Sequence, residues 1–170
     1  VNQERFSQVL AMIHETSPST AIGTDVISGF PGETEELFEK SYEFIQKCDF
    51  SSGHVFSFSP MPGTLASELD DQVQPSVLKS RTNRLLTHFG AQENKYKLNK
   101  VGKTVQVLFE SKKTSPKGTY YRGFSEDYQR VICYSDENLL NQIVEIKLVD
   151  LTEKNDLLGI LPTKNGACLP

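Results

Sequence analysis

The segment Gly29-Phe30-Pro31-Gly32-Glu33 has residue types that could hold a cofactor. It follows a short β-branched, apolar run, Ala21 to Phe30, and precedes a helix-like stretch opening at Thr34. Ligands of parallel α/β folds bind where strands end, glycines let backbone approach a ligand closely, and a helix start offers free N–H groups. The same residues also make an ordinary strand-to-helix turn. A phosphate loop of the form GxxxxGK[ST] is excluded, because no lysine precedes Thr34. Asp25 lies inside the apolar run, so it requires a partner or a polar opening. His54 begins a second strand-like run, His54 to Ser59, and could titrate near neutrality or serve structurally; His14 and His88 are expected on helix surfaces.

A second constellation lies farther on. Between Lys95 and Arg130 there are nine basic residues, opposed only by Glu110, Glu126 and Asp127. Tyr96, Tyr120, Tyr121 and Tyr128 are interleaved with them. Cations with aromatic rings suit a surface that meets phosphates and stacks bases, and a solvated lysine-rich face has the same composition. The best RNA-contact candidates are Lys103, Lys112, Lys113, Lys117, Arg122 and Arg130, with Tyr121 and Tyr128 as stacking platforms. Net charge over the whole chain is −4, but residues 1–92 carry six Lys/Arg against twelve Asp/Glu and the rest carry twelve against ten.

Two hydrophobic periods position these groups. Asn2 can cap a helix whose Phe6, Val9, Leu10 and Ile13 form one stripe, ended by Pro18. Thr34 can cap a helix with Glu35 and Glu36 in its first turn and Phe38, Tyr42 and Ile45 on its apolar face. Pro60, Pro62 and Gly63 break the second strand, and Pro75 opens a helix carrying Val77, Leu78, Leu85, Leu86 and Phe89. Helices separating strands imply parallel βαβ units, with both strands expected to be buried on both faces. Two strands leave outer edges unpaired, so this part is expected to belong to a larger α/β sheet or barrel.

Beyond about residue 97 the period becomes two. Thr104–Phe109, Thr119–Phe124, Arg130–Tyr134, Val144–Leu148 and Leu157–Leu161 alternate, separated by turn signals such as Ser115-Pro116-Lys117-Gly118. Five short strands predict a small closed antiparallel barrel of the OB-like kind. The fold class is thus α/β plus all-β, with units at 1–94 and 97–162 and a loosely attached tail at 163–170.

At 170 residues and 37% hydrophobic content, the chain can bury one ordinary core or two small ones. No apolar run reaches the length of a membrane span. Cys48, Cys133 and Cys168 are too far apart for a CxxC pair, and their odd number argues against a disulfide framework. No metal ligand set is expected, the thiols are read as small buried residues, and a cytoplasmic setting fits. Beginning at Val1 inside a helical pattern, the chain is expected to be part of something longer.

The segment Thr24-Asp25-Val26-Ile27-Ser28-Gly29-Phe30-Pro31-Gly32-Glu33-Thr34-Glu35-Glu36 resembles the fifth-strand signature of the radical S-adenosylmethionine methylthiotransferases. His54-Val55-Phe56-Ser57-Phe58-Ser59-Pro60-Met61-Pro62-Gly63-Thr64 is similar to the family's sixth strand and following loop, and its His-Val-Phe opening to the branch acting on threonylcarbamoyladenosine in tRNA. Gly102 to Glu110 resembles the first strand of the family's TRAM domain; Arg122-Gly123-Phe124-Ser125-Glu126-Asp127-Tyr128 and Leu158-Gly159 resemble later landmarks. Met61 departs from the arginine that family members commonly carry between the two prolines.

The resemblance implies the C-terminal part of a partial radical-SAM (β/α) barrel followed by an RNA-binding TRAM barrel. It implies an enzyme that places a 2-methylthio group on a modified adenosine beside the tRNA anticodon, using S-adenosylmethionine and two 4Fe-4S clusters. By the same resemblance Gly29, Phe30, Pro31, Gly32 and Glu33, with Phe56, Ser57 and Phe58, wall the adenosine half of S-adenosylmethionine. The family's cluster cysteines lie N-terminal to this chain, so these residues alone are expected to be inactive, with no catalytic residue among them. Expected partners are tRNA and the N-terminal remainder of the polypeptide, with neither DNA nor membrane. A stand-alone RNA-binding module and the isopentenyladenosine-tRNA or ribosomal-protein branches are the alternatives.

Overall fold

The computed structural model describes residues 2–162; the expected tail and Cys168 lie outside them. The chain divides between Glu93 and Asn94 into two compact units.

In the first unit, α1 (Gln3–Thr16) starts where the Asn2 side chain accepts the Arg5 N–H at 2.9 Å. Helix α2 (Glu35–Lys47) starts where Thr34 Oγ1 accepts the Leu37 N–H at 3.2 Å. Strands β1 (Gly23–Ser28) and β2 (Ser52–Ser57) pair in parallel, with Asp25 opposite His54 and Ile27 opposite Phe56. Pro75 begins α3 (Pro75–Leu98), a 24-residue helix that runs through the boundary between the units. Leu10, Phe38, Ile45, Phe50, Leu85 and Phe89 form the core, against which Val26 and Val55 pack from the strands. Gly53 admits this packing: a Cβ there would sit 2.4 Å from the Phe89 ring.

Two expectations fail in this unit. The strands are not buried on both faces, because the helices share a core with Val26 and Val55 while Ile27 and Phe56, of opposite parity, stay 58% and 53% exposed. Nor is His88 a surface residue. Its ring makes edge contacts with Tyr42 and Phe89, its Nε2 is buried without a hydrogen-bond partner, and burial lowers its pKa.

In the second unit, β3 (Thr104–Ser115), β4 (Gly118–Ser125), β5 (Arg130–Tyr134), β6 (Ile143–Leu151) and β7 (Leu157–Ile160) close into a barrel of order β3-β4-β5-β7-β6. Pairing is antiparallel except between β5 and β7, which run parallel, so the purely antiparallel expectation is corrected. The chain reaches β7 from β6 through the Thr152–Asp156 turn, and β6 has already reversed relative to β3. Val107, Phe109, Tyr121, Val131, Cys133, Ile146, Leu148 and Leu157 fill the interior. Gly123 lets β3 and β4 approach at the bulge after Phe109, where a Cβ would lie 2.1 Å from the Leu108 carbonyl oxygen.

Candidate cofactor turn and RNA face

At the end of β1, Phe30-Pro31-Gly32-Glu33 forms a tight turn: the Glu33 N–H donates to the Phe30 carbonyl at 2.9 Å, and Gly32 has φ +83°. Proline followed by a positive-φ glycine is the pairing that a type II turn requires. Gly29, also left-handed at φ +79°, donates its N–H to Glu33 Oε2 at 2.9 Å. The same oxygen accepts from Arg81 Nη1 at 2.9 Å, and that nitrogen also donates to the Glu33 carbonyl at 2.8 Å. The far edge of Arg81 donates to Glu35 Oε2, and its guanidinium lies over the Phe38 ring, 5.1 Å from the centroid. Arg81 is only 5% exposed along its side chain, and Glu33 16%.

The Glu33 carboxylate, expected to face a ligand, is therefore committed within the protein to closing the turn. Pro31 and Gly29 are buried, and Ser57 Oγ is hydrogen-bonded to Thr82 Oγ1 at 2.9 Å. What stays open is Phe30 at 48% exposure, with its ring edge-on to Phe58 at 5.4 Å, together with Phe56 and exposed Gly32, where a Cβ would meet nothing within 4 Å. Below this mouth, on the same open sheet face as Ile27 and Phe56, His54 Nδ1 is 3.0 Å from Asp25 Oδ1. The partner expected for Asp25 is thus His54.

Among the described residues, no group of three or more His, Cys, Asp or Glu is placed to hold a metal ion. Cys48 and Cys133 are buried, and burial raises both thiol pKa values.

The barrel sorts its basic and aromatic residues by parity. Tyr121 is 1% exposed and packs edge-on to Phe109 at 6.2 Å, so it is a core residue and not a stacking platform. Its neighbours Tyr120, Arg122 and Phe124 face outward. In register beside them stand Tyr134, Ile132 and Arg130. The Tyr120 and Tyr134 rings lie 5.5 Å apart, and Arg130 lies over the Phe124 ring at 5.8 Å, held also by Asp156 at 3.8 Å. Tyr120, one of the interleaved rings, was not singled out as a platform in the sequence, and Phe124 and Tyr134 were missed. The signal was there: a charged Arg122 fixes which parity points to water, and Tyr120 and Phe124 share it.

Lys112, Lys113 and Lys117 are exposed on the β3–β4 hairpin, Lys113 opposite Tyr120 and Lys112 Nζ over the Tyr121 ring, 5.8 Å from its centroid. Lys103 is exposed just before β3. Tyr128 is 85% exposed and holds φ +59° in the β4–β5 turn. That turn is pinned by Asp127, which accepts from the Tyr96 hydroxyl at 2.6 Å and from Ser125 Oγ at 2.7 Å, and pairs with Lys100. Burial alone would raise the Asp127 pKa, but Lys100, Tyr96 and Ser125 together hold it lowered; burial, then Asp127, pushes the Tyr96 phenol up.

No family model matches the chain. Among curated proteins, it is 31% identical over 147 residues to a threonylcarbamoyladenosine tRNA methylthiotransferase MtaB of Bacillus subtilis, covering 86% of this chain and 33% of the relative. It is 34% identical over 152 residues to a tRNA-2-methylthio-N(6)-dimethylallyladenosine synthase of Corynebacterium jeikeium, covering 86% and 29%. With the Ehrlichia chaffeensis protein of that second name it is 32% identical over 162 residues, covering 93% and 36%. The chain thus spans about a third of the length of the curated relatives it matches.

Proposed function

Because this chain belongs to the tRNA methylthiotransferase family, we propose that it is the C-terminal portion of a radical S-adenosylmethionine enzyme acting on threonylcarbamoyladenosine beside the tRNA anticodon. In this reading residues 1–94 supply two strands of the (β/α) barrel wall, and residues 97–162 form an OB-like TRAM barrel that grips tRNA. The observation that carries it is the open β1–β2 face running up to exposed Phe30, whose ring meets half-buried Phe58 edge-on, beside Gly32, whose Cβ position is open. A helix-backed sheet with its other face bare is what a barrel wall presents to its lumen.

The residues at this mouth fit the adenosine of S-adenosylmethionine. Phe30 and Phe58 offer apolar surface, and Gly32, whose N–H is donated to the Asp71 carbonyl at 2.8 Å, leaves its Cα side open. When bound, that cofactor supplies the radical. The described residues do not fit a 4Fe-4S cluster, since no three ligating side chains converge among them. Cluster ligands would come from the N-terminal remainder of the polypeptide, without which the chain is inactive. Cytoplasmic tRNA is the partner, neither DNA nor a membrane is expected, and among the described residues no helix is long and apolar enough to cross a bilayer.

In the barrel, Arg122, Arg130, Lys113 and Lys117 would neutralise phosphates while Tyr120, Tyr134 and Tyr128 take up bases. Anisotropy of a labelled anticodon stem–loop, titrated with the chain from low to high salt, tests this. Affinity should fall with a log–log slope of about −3, and Arg122→Ala should make the slope shallower by about one unit. Salt-independent binding would sink the electrostatic grip.

A further inference from the structure

The Asp25–His54 pair is not explained by the fold. Both side chains are largely exposed, at 72% and 81%, and they meet each other at 3.0 Å across register-paired positions of β1 and β2. Neither shores up the core, which lies on the opposite face with Val26 and Val55. One layer nearer the mouth, Ile27 and Phe56 are paired in register on the same face, and Phe30 and Phe58 stand at the mouth itself. From mouth inward the face is therefore aromatic, then apolar, then polar. A purine lying against Ile27 and Phe56 would place its substituent about 6.6 Å farther in, at the His54 layer.

We infer that Asp25 and His54 read the N6 substituent of the target adenosine, selecting a hydrogen-bonding threonylcarbamoyl group over an apolar dimethylallyl group; this rests on the tRNA-modifying reading above. The chemistry follows from the pair. With Nδ1–H donated to Asp25 Oδ1, the His54 tautomer is set and Nε2 is left as an acceptor. Threonylcarbamoyl brings urea N–H groups and a hydroxyl, any of which can donate to Nε2. Dimethylallyl brings none of these and would strip water from the pair without replacing its hydrogen bonds. The two named groups of relatives differ in this same substituent. His54 would be the specificity residue, and Asp25 a positioning residue that acts through it.

The test uses the full 170-residue chain with ¹⁵N-labelled histidine and three anticodon stem–loops, bearing threonylcarbamoyladenosine, dimethylallyladenosine or unmodified adenosine. The threonylcarbamoyl RNA should bind about tenfold more tightly than the others, as expected for one or two added hydrogen bonds, and it alone should shift the His54 Nε2 resonance. His54→Phe should reduce the preference to within about twofold. Asp25→Asn, which keeps an acceptor for Nδ1–H, should retain the preference, whereas Asp25→Ala should lose it and change the His54 tautomer signature. Unchanged His14 and His88 resonances report intact folding in each variant. Equal affinities for the three RNAs, or a preference that survives His54→Phe, would overturn the inference. If the three bind alike and Arg122→Ala weakens all of them, the inference fails while the tRNA reading stands. If none binds better than a scrambled RNA, the tRNA reading falls with it.

Discussion

Replacing Glu33 with alanine should act on folding before it acts on any ligand. The substitution deletes two hydrogen bonds onto one carboxylate oxygen, from Gly29 N–H and from Arg81 Nη1. Bonds to a charged acceptor are worth about 1.5–3 kcal/mol each. Orphaning a buried arginine outright would cost about 3–5 kcal/mol. Arg81, however, keeps Glu35 Oε2 as a partner, so the loss stays near the lower bound, about 3 kcal/mol. Glu33→Gln keeps one acceptor oxygen in place and should cost about half as much.

Amide hydrogen exchange separates this from events in the barrel, because it reads Gly29 and the β1 and α2 amides individually. In Glu33→Ala the Gly29 amide should exchange roughly 100-fold faster, the rate equivalent of about 3 kcal/mol. The β1 and α2 amides should lose protection with it, while β3 to β7 remain unchanged. If the β1 and α2 amides stay within about 0.5 kcal/mol of the wild type and Gly29 protection persists, the carboxylate does not close the turn and is free to face a ligand.

Tyr128→Asn should raise the thermal midpoint of the barrel or leave it unchanged, since asparagine tolerates φ +59° better than tyrosine, yet weaken RNA binding; a lowered midpoint would contradict the strain. Burial lowers the His88 pKa below its ordinary value of about 6.5, so the unfolded chain binds more protons in that window. The stability contribution is therefore complete above about pH 6.5 and is lost as pH falls toward the folded-state value; urea midpoints at pH 8 and pH 5 should converge for His88→Phe relative to the wild type. Gly123→Ala forces a Cβ to 2.1 Å from the Leu108 carbonyl oxygen, so it should open the β3–β4 ladder and cost more than about 3 kcal/mol by denaturation of the barrel.

Local chemistry was legible wherever one residue decides one geometry. Asn2 and Thr34 cap the helices expected of them, Pro75 opens α3, and the Pro116-Lys117 turn joins β3 to β4. The parallel β5–β7 pair was not legible, because strand direction depends on where the chain crosses the barrel and not on alternation within a strand. Tyr121 and Tyr128 illustrate the same limit. Both neighbour charges, but parity within β4 sends Tyr121 inward, while the turn anchored by Asp127 projects Tyr128 outward. Glu33 is read as a ligand contact by family resemblance alone, since the residues themselves fit an ordinary turn equally well. Its true partner, Arg81, lies 48 residues away, and no pattern local to the turn discloses it.

The side chains left over after the fold is satisfied are therefore the informative ones. In the turn, the buried ion pair accounts for Gly29, Glu33 and Arg81, and the remainder is Phe30, Gly32 and Phe58. On the strands, the helix-backed core accounts for Val26 and Val55, and the remainder is Asp25, Ile27, His54 and Phe56. Both remainders lie along β1 and β2 and the turns that follow them, and they combine apolar surface with a single oriented histidine. An apolar sheet face meant only for protein packing gains nothing from an Asp–His pair, whose burial would demand polar partners. A lumen that must accept a nucleoside gains both: surface for the base, and a directional contact for whatever the base carries.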